Sequence, residues 1–183
     1  MNQEAMDTKE VDWQPKGLAN DLVQLVPVSA SDFDRLFAVA SDPLIWEQHP
    51  TKNRFERAVF QGYFDGAVAS GTAFLIMERT TGEIAGCTRY YDYKPGESIA
   101  IGFTFLATAY WGGAFNKAAK QLLVDYAFRF VDTIYFHIGA TNLRSQLATG
   151  KIGAVKVREL DIPNNNGSPQ LHYEYALRKP GAK

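Results

Sequence analysis

The chain has 183 residues, of which 46% are hydrophobic, and one cysteine, Cys87. Nineteen basic residues against 20 acidic ones leave a formal charge of −1; that lacks the basic field of a nucleic-acid binder, and a lone cysteine excludes both an internal disulfide framework and a cysteine-rich metal site. No run approaches the roughly 18 apolar residues of a membrane span, and the polar start is no secretory leader, so a cytoplasmic chain without nucleic-acid or membrane partners is expected.

Residues 1–20 lack periodicity and read as a flexible N-terminal arm; residues 21–183 read as a single domain. Leu22 to Val28 is apolar and β-branched, which predicts a strand. Ser29 or Ser31 then caps a helix carrying Phe33, Leu36, Phe37 and Ala40, ended by Asp42-Pro43. Leu44 to Pro50 is an irregular loop suited to lining a pocket, and a second helix covers about Arg54 to Val68. Past Gly71 the period becomes that of strands: Thr72 to Arg79, Ile84 to Tyr93 and Ser98 to Leu106, joined by turns at Thr81-Gly82 and Pro95-Gly96. Short turns between neighbours predict an antiparallel meander.

Helical spacing returns from Phe115 to Phe130, with Lys117 and Lys120 off the apolar face. A strand over Thr133 to Gly139 makes this helix a crossover, which favours parallel pairing. A short helix (Leu143 to Ile152) and two strands (Ala154 to Leu160 and Gln170 to Leu177) close the chain. The fold class is α/β (α+β): a mixed, mostly antiparallel sheet with one parallel crossover and helices on both faces.

Two stretches carry candidate chemistry. Gly112, Gly113 and Ala114 follow a strand and open the longest helix, where unpaired amides and the helix dipole can cradle a diphosphate. Lys117 and Lys120 lie one and two turns further on; read alone, this is more often an ordinary glycine-rich turn than an anion site. G-x-G-x-x-G is absent and Gly150-Lys151 is followed by Ile152, so neither a Rossmann nor a P-loop nucleotide site is indicated. The second stretch is Asn142 to Ala148, where Asn142 caps the short helix and Ser145 stands three residues on.

Taken with GCTRYY (Gly86 to Tyr91), IGFTFL (Ile101 to Leu106) and IGAVK (Ile152 to Lys156), these stretches resemble the GNAT superfamily of acetyl-CoA-dependent N-acetyltransferases, in particular its RimJ/RimL-like branch. The resemblance runs from about Leu22 to Leu177. It implies that the fourth and fifth strands, Ser98 to Leu106 and Thr133 to Gly139, splay into a V. It further implies that acetyl-CoA, as co-substrate, lies on the backbone of Phe105 and Leu106 and on Gly112, Gly113, Ala114, Phe115, Asn116 and Lys117. Asn142 and Ser145 would meet the pantetheine, with Ser145 the proton donor to the leaving thiolate. The acceptor implied is a primary amine, on a protein N-terminus or a small molecule. No metal is required.

The sequence departs from the family where a glutamate often precedes the I-G of the fourth strand, because Ala100 stands there; Ala109 and Ala114 are further departures, and Glu97 sits at the turn. His49 and Glu47 are the candidate bases in its place, with His137 another and Tyr173 a poorer one. Arg89, Tyr90 and Tyr91 either shape the acceptor site or form a cross-strand ladder. Loss of the glutamate raises an alternative, a non-catalytic acyl-CoA-binding module. A purely structural interaction protein fits the composition too, but leaves the glycine loop unexplained. Tyr173 and Tyr175, read as exposed, suggest a homodimer.

Overall fold

Apolar residues on both sides of the central strands demand cover on both faces, and the chain supplies it. A computed structural model describes residues 10–164 and 166–182; the first nine residues of the expected arm lie outside that range. The elements are β1 (Leu18–Ala19), β2 (Val23–Pro27), α1 (Phe33–Ala40), α2 (Arg57–Ser70), β3 (Ala73–Glu78), β4 (Ile84–Lys94), β5 (Ser98–Leu106), α3 (Phe115–Ala127), β6 (Thr133–Gly139), α4 (Leu143–Lys151), β7 (Val155–Pro163) and β8 (Pro169–Arg178). They form one eight-stranded sheet in the order β1-β2-β3-β4-β5-β6-β8-β7. Every pairing is antiparallel except β5–β6, so the expected fold class is the one observed.

The alternation of β3 shows how the layers are built. Phe74 and Ile76 point to one face, where α3 packs with Leu123, Val124 and Ala127. Leu75 points to the other, against Leu36, Phe60 and Phe64 of α1 and α2. Each such side chain, removed fully from water, contributes roughly 1.5–3 kcal/mol. Ahead of α1 the Ser29 amide donates to the Asp32 carboxylate at 2.9 Å, which turns the chain into the helix.

Two expectations need correction. Residues 10–20 do not continue a loose arm: Trp13 is buried, with its ring edge-on to Tyr90, Tyr93, Tyr126 and Phe130. The Asp12 carbonyl accepts from the Tyr126 hydroxyl at 2.6 Å, and Gln14 donates to the Ala73 carbonyl at 2.6 Å. A large aromatic ring overrides the local lack of pattern, because burying it stabilises more than ordering a few residues costs. Tyr173 and Tyr175, in turn, are half-buried, since β8 runs inside the sheet between β6 and β7. The exposed large apolar side chains of this hairpin are Val155 and Val157 on the edge strand β7 and Leu171 near the start of β8.

Candidate active site

Strands β5 and β6 are hydrogen-bonded neighbours only over Ser98–Ala100 and Thr133–Tyr135. Beyond that point β5 continues to Leu106 and β6 to Gly139 without pairing with each other, each held only by its outer neighbour. A cavity of about 960 Å³ opens in the gap, lined by Lys120, Phe136 and Thr149 from the α3 side and by Tyr91, Phe103 and His137 from the other. A bulge helps to part the strands: Cys87 pairs with Phe105 and Arg89 with Gly102, so β5 carries one extra residue. Phe103 sits in that bulge at φ +51°, its ring 3.5 Å below the Arg89 guanidinium carbon and its carbonyl accepting from the Tyr63 hydroxyl.

At the far end of the gap the chain enters the glycine loop. Gly112 takes φ +69°, which only glycine adopts freely, and Ala114 at the helix start provides no side-chain cap. The first turn of α3 carries no acidic residue, and the first intrahelical donor is Ala118, bonded to the Ala114 carbonyl at 2.8 Å. The amides ahead of it therefore lack intrahelical partners at an exposed surface formed by Gly112, Gly113 and Ala114. Asn116 keeps a buried side-chain oxygen without a partner among the described residues, and Lys117 is exposed. The loop itself is anchored: the Trp111 indole donates to the Leu106 carbonyl at 2.9 Å, and the Tyr110 hydroxyl to Glu78 at 2.9 Å. These contacts qualify the expectation for Phe105 and Leu106. No β6 residue opposes either, yet the Leu106 carbonyl is already engaged and that of Phe105 is turned onto Gly86.

Asn142 caps α4 as its residue type predicts, its side-chain oxygen accepting from the Ser145 amide at 3.2 Å. Both residues line the cavity, and so does Thr149, whose hydroxyl is fully buried without a partner among the described residues. Lys120 corrects the sequence reading. It was expected on the solvated side of α3, but it is 5% exposed, with its ammonium 6.0 Å from the Phe136 ring. Because β6 leans away from β5, this helix position faces the gap and not water. Burial lowers the Lys120 pKa from 10.5 to about 8. The unfolded chain therefore binds more protons between those values, and stability rises with pH across that window. Replacing the buried cation, Lys120→Met, is expected to stabilise the fold at pH 7 by on the order of 2–3 kcal/mol, the gain shrinking toward pH 10. Urea unfolding at the two pH values reads this out.

On the opposite face the structure separates the candidate bases. Glu47 is exposed and lies outside the cavity lining, so it does not join the site. Glu97 is exposed at its turn. His49 does line the cavity, edge-on to Trp46, but burial together with the Arg54 and Arg144 guanidiniums lowers its pKa to about 3. That makes it a poor proton acceptor. His137 stands in a chain of contacts instead. Its Nδ1 is 2.6 Å from the Tyr91 hydroxyl and its Nε2 is 2.8 Å from Glu174, which also accepts from Arg158 at 3.0 Å. Tyr90 faces the other way, its hydroxyl donating to the Leu123 carbonyl. Glu174 and Arg158 lie in the last hairpin, and no spacing in the sequence announces that they meet His137. Cys87 is a buried free thiol in β4, as its strand position suggests.

The family model described as acetyltransferase (GNAT) domain matches residues 23–155. Among curated protein sequences none matches this chain. The fold is similar to a probable acetyltransferase of the GNAT family from Chromobacterium violaceum, 16% identical with a TM-score of 0.77, covering 97% of this chain and 95% of that one. It is similar to the microcin C7 self-immunity acetyltransferase MccE, solved in complex with acetyl-CoA and AMP, at 14% identity and a TM-score of 0.74 over 93% of this chain and 100% of that one. The ribosomal-protein-S5-alanine acetyltransferase from Vibrio fischeri is similar over 90% of this chain and 97% of its own, at 17% identity and a TM-score of 0.66.

Proposed function

We propose, from the premise that this chain belongs to the GNAT acetyltransferase domain family, that it is an acetyl-CoA-dependent N-acetyltransferase acting on a primary amine while both substrates are held in one cleft. One observation carries the reading: β5 and β6 part after three paired residues, and the resulting cavity is bordered by Lys120 of α3, the helix whose N-terminus carries no side-chain cap. The orphaned Thr149 hydroxyl inside the gap supports the fit, since a buried polar atom calls for a polar partner. A place in the RimJ/RimL-like branch, and with it a protein N-terminus as one acceptor class beside small amines, rests on the motifs together with the likeness to the Vibrio fischeri protein.

The amides of Phe115 and Asn116, opened by Gly112, Gly113 and Ala114, would hold the diphosphate, with Lys117 adding positive charge at the surface. The unpaired end of β5 at Phe105 and Leu106, and Asn142 across the gap, would guide the pantetheine arm. Acetyl-CoA supplies an activated acyl group; the chain's own task is to orient it, keep water out and manage protons. Ser145 lines the gap from the first turn of α4, and in this reading it would return a proton to the departing sulfur.

Calorimetry with acetyl-CoA and a thiol-release assay over a panel of amines test the reading. Binding without turnover on any amine favours the non-catalytic module; failure to bind removes both. Ser145→Ala should lower kcat roughly 10-fold and leave acetyl-CoA affinity within about 2-fold, because a proton donor acts only as the C–S bond breaks. Equal losses in the two quantities would assign Ser145 to binding.

A further inference from the structure

Tyr91 on β4 pairs in register with Ala100 on β5, yet its ring does not stop there. It crosses β5 over Gly102, where a Cβ would stand 2.9 Å from Tyr91 Cε1. Only a glycine lets the ring pass, and the hydroxyl thereby reaches His137 on β6. His137 is in turn the register partner of Glu174 on β8. The chain Tyr91–His137–Glu174–Arg158 thus spans the parted strands and borders the cavity throughout.

Its hydrogen bonds have a direction. Glu174 is ionised: burial pushes its pKa up, but the bonds from Arg158 and His137 outweigh this and lower it. A carboxylate only accepts, so His137 Nε2 carries the proton that points at Glu174. In the neutral imidazole Nδ1 then holds a lone pair, 2.6 Å from the Tyr91 hydroxyl that can donate to it. The lone pairs on Tyr91 Oη remain available to the cavity. Around His137 the charged and titratable groups bordering the same cavity are Tyr91, Asp92, Tyr93 and Lys94 from β4, Lys120 from α3, Tyr135 from β6 itself, Arg158 from β7, His172 and Glu174 from β8, and His49 and Arg54 ahead of α2.

We propose that Tyr91 and His137 are the proton-accepting site for the incoming amine, with Glu174 and Arg158 as positioning residues that fix the imidazole tautomer. The proposal rests on the acetyltransferase reading and names the group that works where Ala100 cannot. An ammonium acceptor passes one proton to Tyr91 Oη while the tyrosine's own proton moves to His137 Nδ1, leaving an imidazolium beside Glu174. The freed nitrogen lone pair forms the C–N bond to the acetyl carbon, the C–S bond breaks, and the second nitrogen proton passes through the Ser145 hydroxyl to the departing thiolate. His137 then returns its proton to solvent, so each turnover releases one proton.

The test measures kcat against pH for the wild type, Tyr91→Phe, His137→Ala and Glu174→Gln with acetyl-CoA and glycinamide, spermidine, tyramine and an alanine-initiated tetrapeptide. Tyr91→Phe removes one oxygen and keeps the ring over Gly102; it should lower kcat about 100-fold with acetyl-CoA affinity and melting temperature unchanged. His137→Ala should regain turnover when imidazole is added. Glu174→Gln puts an amide donor against Nε2, turns the tautomer over and should shift the kcat–pH profile, which loss of packing alone would not do. Tyr91→Phe turnover within 3-fold of wild type, or a Glu174→Gln profile superimposable on it, overturns the relay and leaves the acetyltransferase reading standing. A wild type that binds no acetyl-CoA, or acetylates none of the four amines, overturns both.

Discussion

Replacing Gly86 with alanine should lower the melting temperature by about 6–12 °C, more than any other single-methyl change in the sheet. Gly86 lies in β4 between Ile76 of β3 and Leu106 of β5. A methyl group on it would stand 1.9 Å from the Phe105 carbonyl oxygen and 3.1 Å from the Leu106 Cα. Both are backbone atoms, so no rotamer change relieves the overlap, and β4 and β5 must separate. Phe105 packs against Trp46 at 4.9 Å between ring centroids and belongs to the buried cluster under α1 and α2. Overpacking of this kind costs about 3 kcal/mol, which at 2–4 °C per kcal/mol for a chain of this size gives the stated shift. Gly82→Ala is the control: it has open space, so only its φ of +72° opposes the change, at about 1–2 kcal/mol. A Gly86→Ala protein melting within 2 °C of wild type would show that the Phe105 carbonyl does not lie over that residue.

Gly112→Asp should weaken CoA binding by about 100-fold or more while lowering the stability of the fold by no more than about 1–2 kcal/mol. A Cβ on Gly112 would meet nothing within 4 Å beyond its chain neighbours, and at φ +69° aspartate is among the better tolerated side chains. The added carboxylate lies two residues ahead of the uncapped first turn of α3, where a negative charge contributes about 0.3–1 kcal/mol to the helix and offsets part of the backbone strain. The interaction that steadies the helix is the one a diphosphate would make, so ligand and side chain compete for the same amides. Calorimetry with CoA gives the affinity, thermal unfolding gives the stability, and turnover of acetyl-pantetheine, which lacks the diphosphate, should be the same in both proteins. Retained CoA affinity would remove the loop from the binding site. Equal loss with acetyl-pantetheine would mean that the substitution disturbs the gap itself.

The element pattern was readable because each element repeats a local rule. Two-residue alternation with Thr81-Gly82 and Pro95-Gly96 turns marks the meander, and the strand over Thr133–Gly139 was bounded as found. The 3.6-residue spacing of Phe115, Ala119 and Leu123 marks α3, although its last turn opens at Ala127 and not at Phe130. Where an isolated side chain outweighed the local pattern, the reading failed, as with Trp13. The glycine loop and the Asn142 cap were legible for the same reason as the elements: positive φ and capping depend on a few adjacent residues.

Sequence alone therefore determined the order and type of the main strands and helices, the class of fold and the positions at which backbone amides stand free. Tertiary structure alone decided which distant side chains meet. Tyr91 reaches His137 across 46 positions only because β5 offers Gly102 beneath the ring. Glu174 finds His137 through strand register, and Lys120 is buried because β6 leans away from β5. Glu47 and His49, two residues apart, part company because the chain after Trp46 turns one to solvent and the other into the cavity. Local geometry is written in neighbouring residues; proximity across a sheet is set by register and by the gap between two strands, and no short window of sequence contains either.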